Sequence, residues 1–344
     1  MNKRILIIGP IPNPKHPKSI GGATILCKCL IDYCDSHNIN YKLIVTNKYY
    51  GIFSSIKNLV AVLVRIVINV PFFPMVLCNL SSNGVKVIAP YTYLVCKIFR
   101  KPFYLRLFGS WIADLIGGNS IASSIIIHVI KGAKGVMLES HYVINKVSNI
   151  RNDIYWLPNS REIADDENTF STTGYSKRFV FISQVKEEKG IEYILKLNDE
   201  LKGAGYIFDI YGPIAQSKYS YFENVQEYKG VLDRNEIFST LRSYDVLILP
   251  TYYLGEGYPG IIIEAYIAGR PVISTKWKAI PELVEEGVTG FLSEVNDYND
   301  LKEKVLMINN DNYARIAKNA FEKGKQFNSE KVHNELFKYI FEKE

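Results

Sequence analysis

Residues 246–292 of the chain read VLILPTYYLGEGYPGIIIEAYIAGRPVISTKWKAIPELVEEGVTGFL. The apolar run 246–250 predicts a buried strand, and residues 261–268 predict a largely buried helix. The loop between them has glycines at positions 255, 257 and 260. A loop of this kind, at the carboxyl end of a strand and before a helix amino terminus, lets backbone N–H groups and the helix dipole meet a phosphate. The segment therefore predicts an α/β unit with a loop suited to a diphosphate.

Two carboxylates flank this loop, Glu256 within it and Glu264 on the helix, with seven residues between them. Carboxylates beside a phosphate site would repel the ligand unless they contact other groups, and sugar hydroxyls are suitable donors for them. A surface position for both residues is the alternative, although the apolar neighbours of Glu264 argue against it. A glycoside hydrolase that uses the pair as acid and nucleophile is a second alternative. It is weaker because a phosphate loop between the acids would serve no purpose there.

The run EGYPGIIIEAYIAGRPVIST at 256–275, followed by KAIPELVEEGVTGFL at 278–292, resembles the group 1 (family 4) retaining glycosyltransferases. These enzymes have the GT-B fold and a glutamate-x7-glutamate motif. The resemblance implies that Glu264 contacts the ribose hydroxyls of a nucleotide sugar and that Glu256 lies by the donor sugar. It also implies that the diphosphate meets the backbone of four loop residues, Gly257, Tyr258, Pro259 and Gly260.

The stretch SQVKEEKG at 183–190 resembles the segment in which the family places an arginine and a lysine on the donor phosphates. Lys189 matches the lysine, whereas Gln184 stands in the place of the arginine. This departure removes one cation from the leaving group, and Lys186 or Arg178 are the candidates to replace it. Gly212, after the predicted strand 206–211, falls where the family has another donor-side element.

The first half of the chain resembles the family less closely. Gly21 and Gly22 resemble its amino-terminal loop, which lies over the donor phosphates and near the acceptor. They do not form a dinucleotide-binding fingerprint, because prolines at positions 10 and 12 break that spacing. Many relatives have a histidine where Phe108 stands here, so the polar group on the acceptor side is open. The candidates are His16, Arg106, Ser110 and Asp114.

Short apolar runs alternate with helical patterns along the whole chain, which is typical of parallel strands joined by crossover helices. A polar stretch at 159–178 interrupts the pattern. We therefore expect an α/β protein with the GT-B fold, in which two Rossmann-like doubly wound parallel-sheet domains face each other across a cleft. The expected domains are an acceptor-side domain at 1–162, a nucleotide-sugar-binding domain at 163–325, and a carboxyl-terminal helix at 326–344 that returns toward the first. The predicted strands include 85–89 in the first domain and 225–228 in the second.

Charge is divided unevenly between the two halves. Residues 1–160 hold 18 Lys+Arg against 5 Asp+Glu, and the remainder holds 23 against 30. The basic half is expected to face an anionic partner. The apolar stretch 56–80 is interrupted by Arg65 and by prolines 71 and 74, which favours a buried helix followed by a strand. An interfacial helix with basic flanks and a membrane span are the alternatives.

The resemblance implies a retaining transfer of a hexosyl or N-acetylhexosaminyl group from a UDP- or GDP-sugar to a glycan hydroxyl. The expected setting is O-antigen, lipopolysaccharide or capsule synthesis in bacteria, with a lipid-diphosphate-linked acceptor. No secretory signal or metal-ligand spacing is recognisable, so we expect a cytoplasmic enzyme, peripheral on the inner face of the membrane, that needs no metal or other cofactor. A nucleotide-binding module with a basic domain for nucleic acid or membrane, without transferase activity, is the alternative from another class. No nucleic-acid partner is expected, because no compact basic run occurs.

Overall fold

The computed structural model describes residues 4–13, 21–47, 52–163, 169–172 and 174–342. The chain divides into two compact units. Unit 1 comprises Met1–Glu162 with Ser329–Glu344, and unit 2 comprises Ile163–Asn328. Each unit contains one parallel sheet with helices packed on it. The predicted class of two Rossmann-like α/β domains is therefore confirmed.

Unit 1 has a six-stranded parallel sheet in the order β2-β1-β3-β4-β5-β6. Its strands are β1 (Arg4–Gly9), β2 (Asn40–Val45), β3 (Met75–Leu80), β4 (Phe103–Leu107), β5 (Gly135–Leu138) and β6 (Tyr155–Trp156). Neighbouring residues of β1 enter different cores, since Leu6 and Ile8 pack on one face of the sheet and Ile5 and Ile7 on the other. Burial on both faces explains why the strands read as nearly continuous apolar runs.

Seven helices cover these two faces within the described part of unit 1. They are α1 (Gly22–Ser36), α2 (Ile52–Asn69), α3 (Ser82–Ile98), α4 (Trp111–Ile116), α5 (Ile121–Gly132), α6 (His141–Val147) and the carboxyl-terminal α13 (Ser329–Glu342). Helix α13 buries Val332, Leu336 and Ile340 against β1 and α1, and the Tyr104 hydroxyl donates to the carbonyl of Ile340 at 3.0 Å. The last helix is thus part of the core of unit 1.

Unit 2 has a five-stranded parallel sheet in the order β11-β10-β9-β7-β8. Its strands are β7 (Arg178–Ile182), β8 (Ile207–Tyr211), β9 (Val246–Leu249), β10 (Val272–Thr275) and β11 (Gly290–Ser293). Its helices are α7 (Ile191–Leu201), α8 (Ile237–Arg242), α9 (Gly260–Ile267), α10 (Ile280–Leu283), α11 (Tyr298–Met307) and α12 (Tyr313–Gly324). The strand order reverses beside β7, the first strand of the unit. Ligands of open α/β sheets bind at the carboxyl ends of strands near such a reversal.

Two of the predicted strands are wrong. Residues 85–89 lie in α3, because Val85, Ile88 and Ala89 are buried at the spacing of a helix and not of a strand. Residues 225–228 form only an isolated bridge, in which the Ile210 N–H donates to the carbonyl of Glu227 at 2.8 Å. A single bridge does not extend into a strand.

The stretch 56–80 forms the predicted helix and strand, α2 and β3, but the helix is not buried as expected. Val62 and Ile66 enter the core, whereas Ile56, Val60 and Val64 on the opposite face are exposed. Residues Ser54–Phe72 are long and apolar enough to cross a membrane, and only 22% of that window is buried. Helix α2 therefore has two apolar faces, of which the fold covers one.

Candidate active site

The loop after β9 leaves the middle of the sheet of unit 2. All four residues of β9 are buried between β7 and β10. The following loop is held from the side of β10, because the Trp277 indole N–H donates to the carbonyl of Tyr253 at 2.8 Å and the Lys278 ammonium bonds to the carbonyl of Leu254. The loop ends at Gly260, where α9 begins without a side-chain cap. Its backbone is thus fixed at the carboxyl edge of the sheet.

The loop after the neighbouring strand β7 is joined to it by direct contacts. The Tyr252 N–H donates to the carbonyl of Glu188 at 2.8 Å, and the Thr251 hydroxyl oxygen lies 3.2 Å from the same carbonyl oxygen. Gly190 permits this approach: its φ is +73°, and an added Cβ would lie 2.3 Å from the carbonyl oxygen of Pro250. Glycine at position 190 therefore allows the two loops to pack together, and this packing places Lys189 beside the β9 loop.

Lys189 and Glu256 form a buried ion pair between the two loops. The Lys189 ammonium donates to Oε2 of Glu256, and the Thr251 hydroxyl donates to the same oxygen at 2.8 Å. Both charged residues are 8% exposed. Removing two charges from water is costly unless they are paired and hydrogen-bonded. Glu256 and Lys189, the two residues that we predict to be catalytic from their resemblance to the donor-sugar glutamate and the phosphate-binding lysine of the family, thus lie together in the structure.

A second lysine lies beside this pair. The Lys186 ammonium sits 3.2 Å from the centroid of the Tyr253 ring, and the Lys189 ammonium lies 5.3 Å from the same centroid. Burial, followed by the positive charge of Lys189, lowers the pKa of Lys186 below its usual value. The carboxylates of Glu188 and Glu256 both act on Lys186, in the opposite direction. The two ammonium groups at the end of a sheet are nevertheless suitable partners for an anionic ligand.

The other donor-side candidates take different positions. Gln184 is exposed at the end of β7. Arg178 lies at the amino end of β7, where its guanidinium stacks on Tyr244 at 4.8 Å, so it is at the opposite edge from Lys189. Gly212 has a φ of +136°, and its Cβ would lie 1.8 Å from the carbonyl oxygen of Ser183. Of the two proposed replacements for the missing arginine, the structure brings only Lys186 to the ion pair.

Helix α9 carries Glu264 on a half-buried position. Its other residues fill the core, including Ile262, Ile263, Ala265 and Tyr266. Before the helix, Gly257, Tyr258 and Pro259 are buried, and the Tyr258 ring packs edge-on against Phe327 with 6.2 Å between centroids. Across the residues that the structure describes, no three His, Cys, Asp or Glu side chains are grouped as a metal site. The helix therefore presents one carboxylate from an otherwise apolar surface.

The acceptor-side candidates of unit 1 lie on and after β4, and they differ in exposure. Arg106 is 1% exposed, and burial lowers its pKa to about 10 despite the nearby Glu139 charge. Ser110 is fully buried at the start of α4, and Asp114 is exposed in the first turn of that helix. Of the three, Asp114 alone projects to solvent. His16 lies outside the described residues.

Gly21 and Gly22 stand at the start of α1, where an added Cβ on either would meet no atom within 4 Å. The Gly21 N–H donates to the Thr24 hydroxyl at 3.0 Å, which holds the amino terminus of the helix. Packing does not require glycine at these two positions.

Several residues of these loops were not anticipated from the sequence. Thr251 holds Glu256, Tyr253 lies against both lysines, and in unit 1 Glu139 accepts from the Gly109 N–H at 2.8 Å. The sequence could have indicated Thr251 and Tyr253, because they closely follow a buried strand and precede the glycines of the loop. No sequence pattern indicated Glu139, since it contacts a residue 30 positions away.

Comparison with known proteins also points to the part of unit 2 that contains the β7 and β9 loops. Residues 176–311 match the family model described as Glycosyl transferases group 1. An uncharacterized glycosyltransferase of Methanocaldococcus jannaschii, MJ1178, is 27% identical over 239 residues, which cover 66% of this chain and 63% of the relative. The putative colanic acid biosynthesis glycosyltransferase WcaL of Escherichia coli is 29% identical over 174 residues, covering 46% of this chain and 43% of the relative. The chain thus spans less than two thirds of either relative.

The crystal structure of Anabaena Alr3699/HepE in complex with UDP superposes with a TM-score of 0.76 and 15% identity, over 98% of this chain and 100% of the other. At that identity the likeness is one of fold, and it extends over both units. Residues 176–311 therefore match the group 1 glycosyl transferases, within a chain that has the GT-B fold and resembles the glycosyltransferases of surface-polysaccharide synthesis.

Proposed function

We propose that this chain is a retaining glycosyltransferase that binds a nucleotide-diphosphate sugar at the β7 and β9 loops of unit 2. The observation that carries the proposal is the buried Lys189–Glu256 pair with Lys186 beside it, at the carboxyl ends of adjacent strands. Buried ionisable groups with shifted pKa values occur preferentially at functional sites. A diphosphate would be a further anionic partner for the two lysines.

In the proposed reaction, an acceptor hydroxyl attacks the anomeric carbon from the side on which the diphosphate leaves. The bond between that carbon and the phosphate oxygen breaks, and the hydroxyl proton passes to the departing oxygen. Lys189, Lys186 and the N–H groups at the start of α9 stabilise the charge that develops there. Glu256 contacts the donor sugar and orients it, and Glu264 accepts hydrogen bonds from the ribose hydroxyls. The backbone of Gly257 to Gly260 lies along the diphosphate.

We propose that this positive charge comes from the protein and that the transfer needs no divalent metal. The two lysines and the amino terminus of α9 supply the electrostatic stabilisation that a metal ion supplies in other phosphate sites. Incubation with EDTA is expected to leave the rate unchanged. A rate that falls with EDTA and returns with Mg²⁺ would contradict this part of the proposal.

For the donor, we propose a UDP-sugar first and a GDP-sugar second, with a hexosyl or N-acetylhexosaminyl group transferred. The fold likeness to a protein crystallised with UDP supports this order.

For the acceptor, we propose a glycan carried on a lipid diphosphate, in the assembly of a bacterial surface polysaccharide such as O-antigen or capsule. The similarity to WcaL and the basic charge of residues 1–160 support it, because a lipid diphosphate lies among anionic headgroups at the inner face of the membrane.

The test is a transfer assay with a panel of nucleotide sugars and a lipid-linked glycan acceptor. We expect release of the nucleoside diphosphate to depend on the acceptor, and we expect NMR of the product to show the anomeric configuration of the donor. Release of free sugar from an oligosaccharide without any nucleotide sugar would instead identify a hydrolase. Nucleotide binding without transfer to any acceptor would favour the nucleotide-binding module.

A further inference from the structure

Helix α2 has an apolar face that the protein leaves uncovered. We define the outer face of α2 as Ile56, Val60, Val64, Val67 and Ile68, which are 39% to 59% exposed. Their spacing places them on one side of the helix, whereas Val62, Ile66 and the partly buried Leu59 and Leu63 pack into the core on the other side. A surface helix of a soluble protein normally turns polar residues outward, so this face has the composition of an interface.

The neighbouring helices extend the apolar surface. Helix α3 contacts both α2 and α5, and all three lie on the same face of the sheet of unit 1. Exposed apolar side chains continue along them as Leu94 and Ile98 on α3 and Ile121 on α5. A groove of about 430 Å³ runs between α3 and α5 and is lined mainly by apolar side chains, with Lys97 and His128 among them. We call these three helices together the α2–α3–α5 surface.

The charge around this surface is mainly positive. Residues 52–134 contain nine lysines and arginines and a single carboxylate, Asp114. Seven of the nine cations are exposed, namely Lys57, Arg65, Lys86, Lys97, Arg100, Lys131 and Lys134. Two copies of such a surface would repel each other, which argues against a homodimer. A partner that is both apolar and negatively charged is required, and a bilayer with anionic headgroups combines the two properties.

We propose that the α2–α3–α5 surface binds an anionic lipid bilayer, with α2 lying in the plane of the interface. The inference rests on the membrane location in the proposed function and adds which residues make the contact. A membrane-spanning segment Ser54–Phe72 does not fit, although its length and composition would allow one, because it would have to withdraw Val62, Ile66 and Val70 from the core of unit 1. Lying flat, the helix keeps its inner face in the core and places its outer face in the lipid.

The experiment measures binding of the full chain to phosphatidylcholine vesicles with and without phosphatidylglycerol. One variant combines Val60→Ser, Val64→Ser and Ile68→Ser on the outer face, and a second combines Lys57→Glu and Arg65→Glu. The matched control combines Ile207→Ser, Val231→Ser and Leu306→Ser, which are also exposed apolar residues but lie in unit 2. We expect wild type and control to bind only the anionic vesicles and each of the two α2 variants to bind at least about tenfold more weakly.

A site-specific probe keeps the test valid if the triple variant does not fold. All five native cysteines are buried, so Val64→Cys can be labelled selectively with an environment-sensitive dye. Its emission is expected to shift to the blue on anionic vesicles, whereas the same dye at Val231→Cys is expected not to respond. We expect alkaline carbonate to extract the bound protein from the vesicles, because a helix that lies on the bilayer does not span it.

Three results would overturn the inference. The first is no binding to anionic vesicles, or equal binding by wild type and the two α2 variants. The second is resistance to carbonate extraction, which would indicate a spanning helix. The third is a dimer in sedimentation velocity that the outer-face serines dissociate, which would assign the surface to a second copy. None of these results bears on UDP binding by unit 2, so failure here is distinguishable from failure of the donor-site assignment.

Discussion

Each unit contains buried charged or titratable groups, and the two sets lie in different surroundings. In unit 2, Lys189 and Glu256 are 8% exposed and lie in loops at the carboxyl edge of the sheet. In unit 1, Arg106 and His333 are 1% and 0% exposed and lie within the fold. The first pair lies at the edge where ligands of open α/β sheets bind, whereas the second two are enclosed by packing. We interpret the first as charge held for a ligand and the second as charge that serves the fold.

The largest expected effect comes from removing Lys189. The variant Lys189→Met leaves Glu256 buried without its cation, which we expect to lower the free energy of unfolding by about 3–5 kcal/mol. We expect the transfer rate to fall by about 10²–10³-fold, the loss typical of removing one group that stabilises transition-state charge. Denaturant unfolding and nucleoside diphosphate release measure the two effects.

A second variant separates these two effects. Adding Glu256→Gln to Lys189→Met removes the unpaired charge and is expected to recover much of the stability without recovering transfer. If Lys189→Met retains the transfer rate within a few-fold, the buried charge of unit 2 does not serve the ligand, and the contrast with unit 1 fails.

The next effect concerns the contact between the two loops. Gly190→Ala introduces a Cβ into the carbonyl of Pro250 at a positive φ, which we expect to destabilise unit 2 by at least about 2 kcal/mol. Since the loops are then forced apart, nucleotide affinity should also fall. Gly203→Ala is the matched control, because its Cβ would meet no atom within 4 Å. Equal melting temperatures for the two variants would argue against the close loop contact.

A smaller effect distinguishes the two candidates for the missing arginine. Lys186→Gln is expected to raise the Kd for a nucleoside diphosphate about tenfold, as loss of one charged hydrogen bond does. Arg178→Gln is expected to leave that Kd unchanged, because it lies at the other end of β7. Calorimetric titration measures both. An unchanged Kd in Lys186→Gln would exclude Lys186 as the replacement.

The lowered pKa of Lys186 gives the same site a pH dependence. The cation that binds phosphate is lost as pH rises through its pKa, so affinity should fall on the alkaline side, and earlier than for an ordinary lysine. The comparison of wild type with Lys186→Gln isolates this loss. A wild-type affinity that rises with pH would contradict the assignment.

The smallest effect on function is expected in unit 1. Burial, together with the Arg106 charge, lowers the pKa of His333 to about 3. Below the unfolded pKa of about 6.5, the unfolded chain binds a proton that the native chain does not, so stability should fall by about 1.4 kcal/mol per pH unit toward the folded pKa. His333→Gln should lack this contribution and keep wild-type nucleotide affinity at neutral pH. A change in affinity would show that the buried groups of unit 1 also act on the ligand.

The sequence predicted most of the strands and helices of both units, because the inner parallel strands are buried on both faces and read as short apolar runs. It failed at 85–89, where a helix with one buried stripe briefly alternates like a strand. It also failed on α2, since composition shows that the helix is apolar but not that the fold covers only one of its two apolar faces. Such coverage depends on which elements pack nearby, and this is set by tertiary structure.

In the site, the sequence indicated Glu256, Glu264 and Lys189 through one continuous motif and one resemblance. It did not indicate the contact between Lys189 and Glu256, which are 67 residues apart, or the choice of Lys186 over Arg178. Both depend on the parallel pairing of β7 with β9 and on the positive φ of Gly190. The spacing of residues along the chain does not show which residues of two neighbouring strands will lie at the same edge of the sheet.

The most direct test of the central claim is the thermal stabilisation of the protein by a panel of nucleotides and nucleotide sugars, repeated on Glu264→Ala. We predict that UDP or a UDP-sugar raises the melting temperature of the wild type in a concentration-dependent way and that Glu264→Ala loses most of this shift. If no nucleotide or nucleotide sugar raises the melting temperature of the wild type, the assignment of a donor site to the β7 and β9 loops is contradicted.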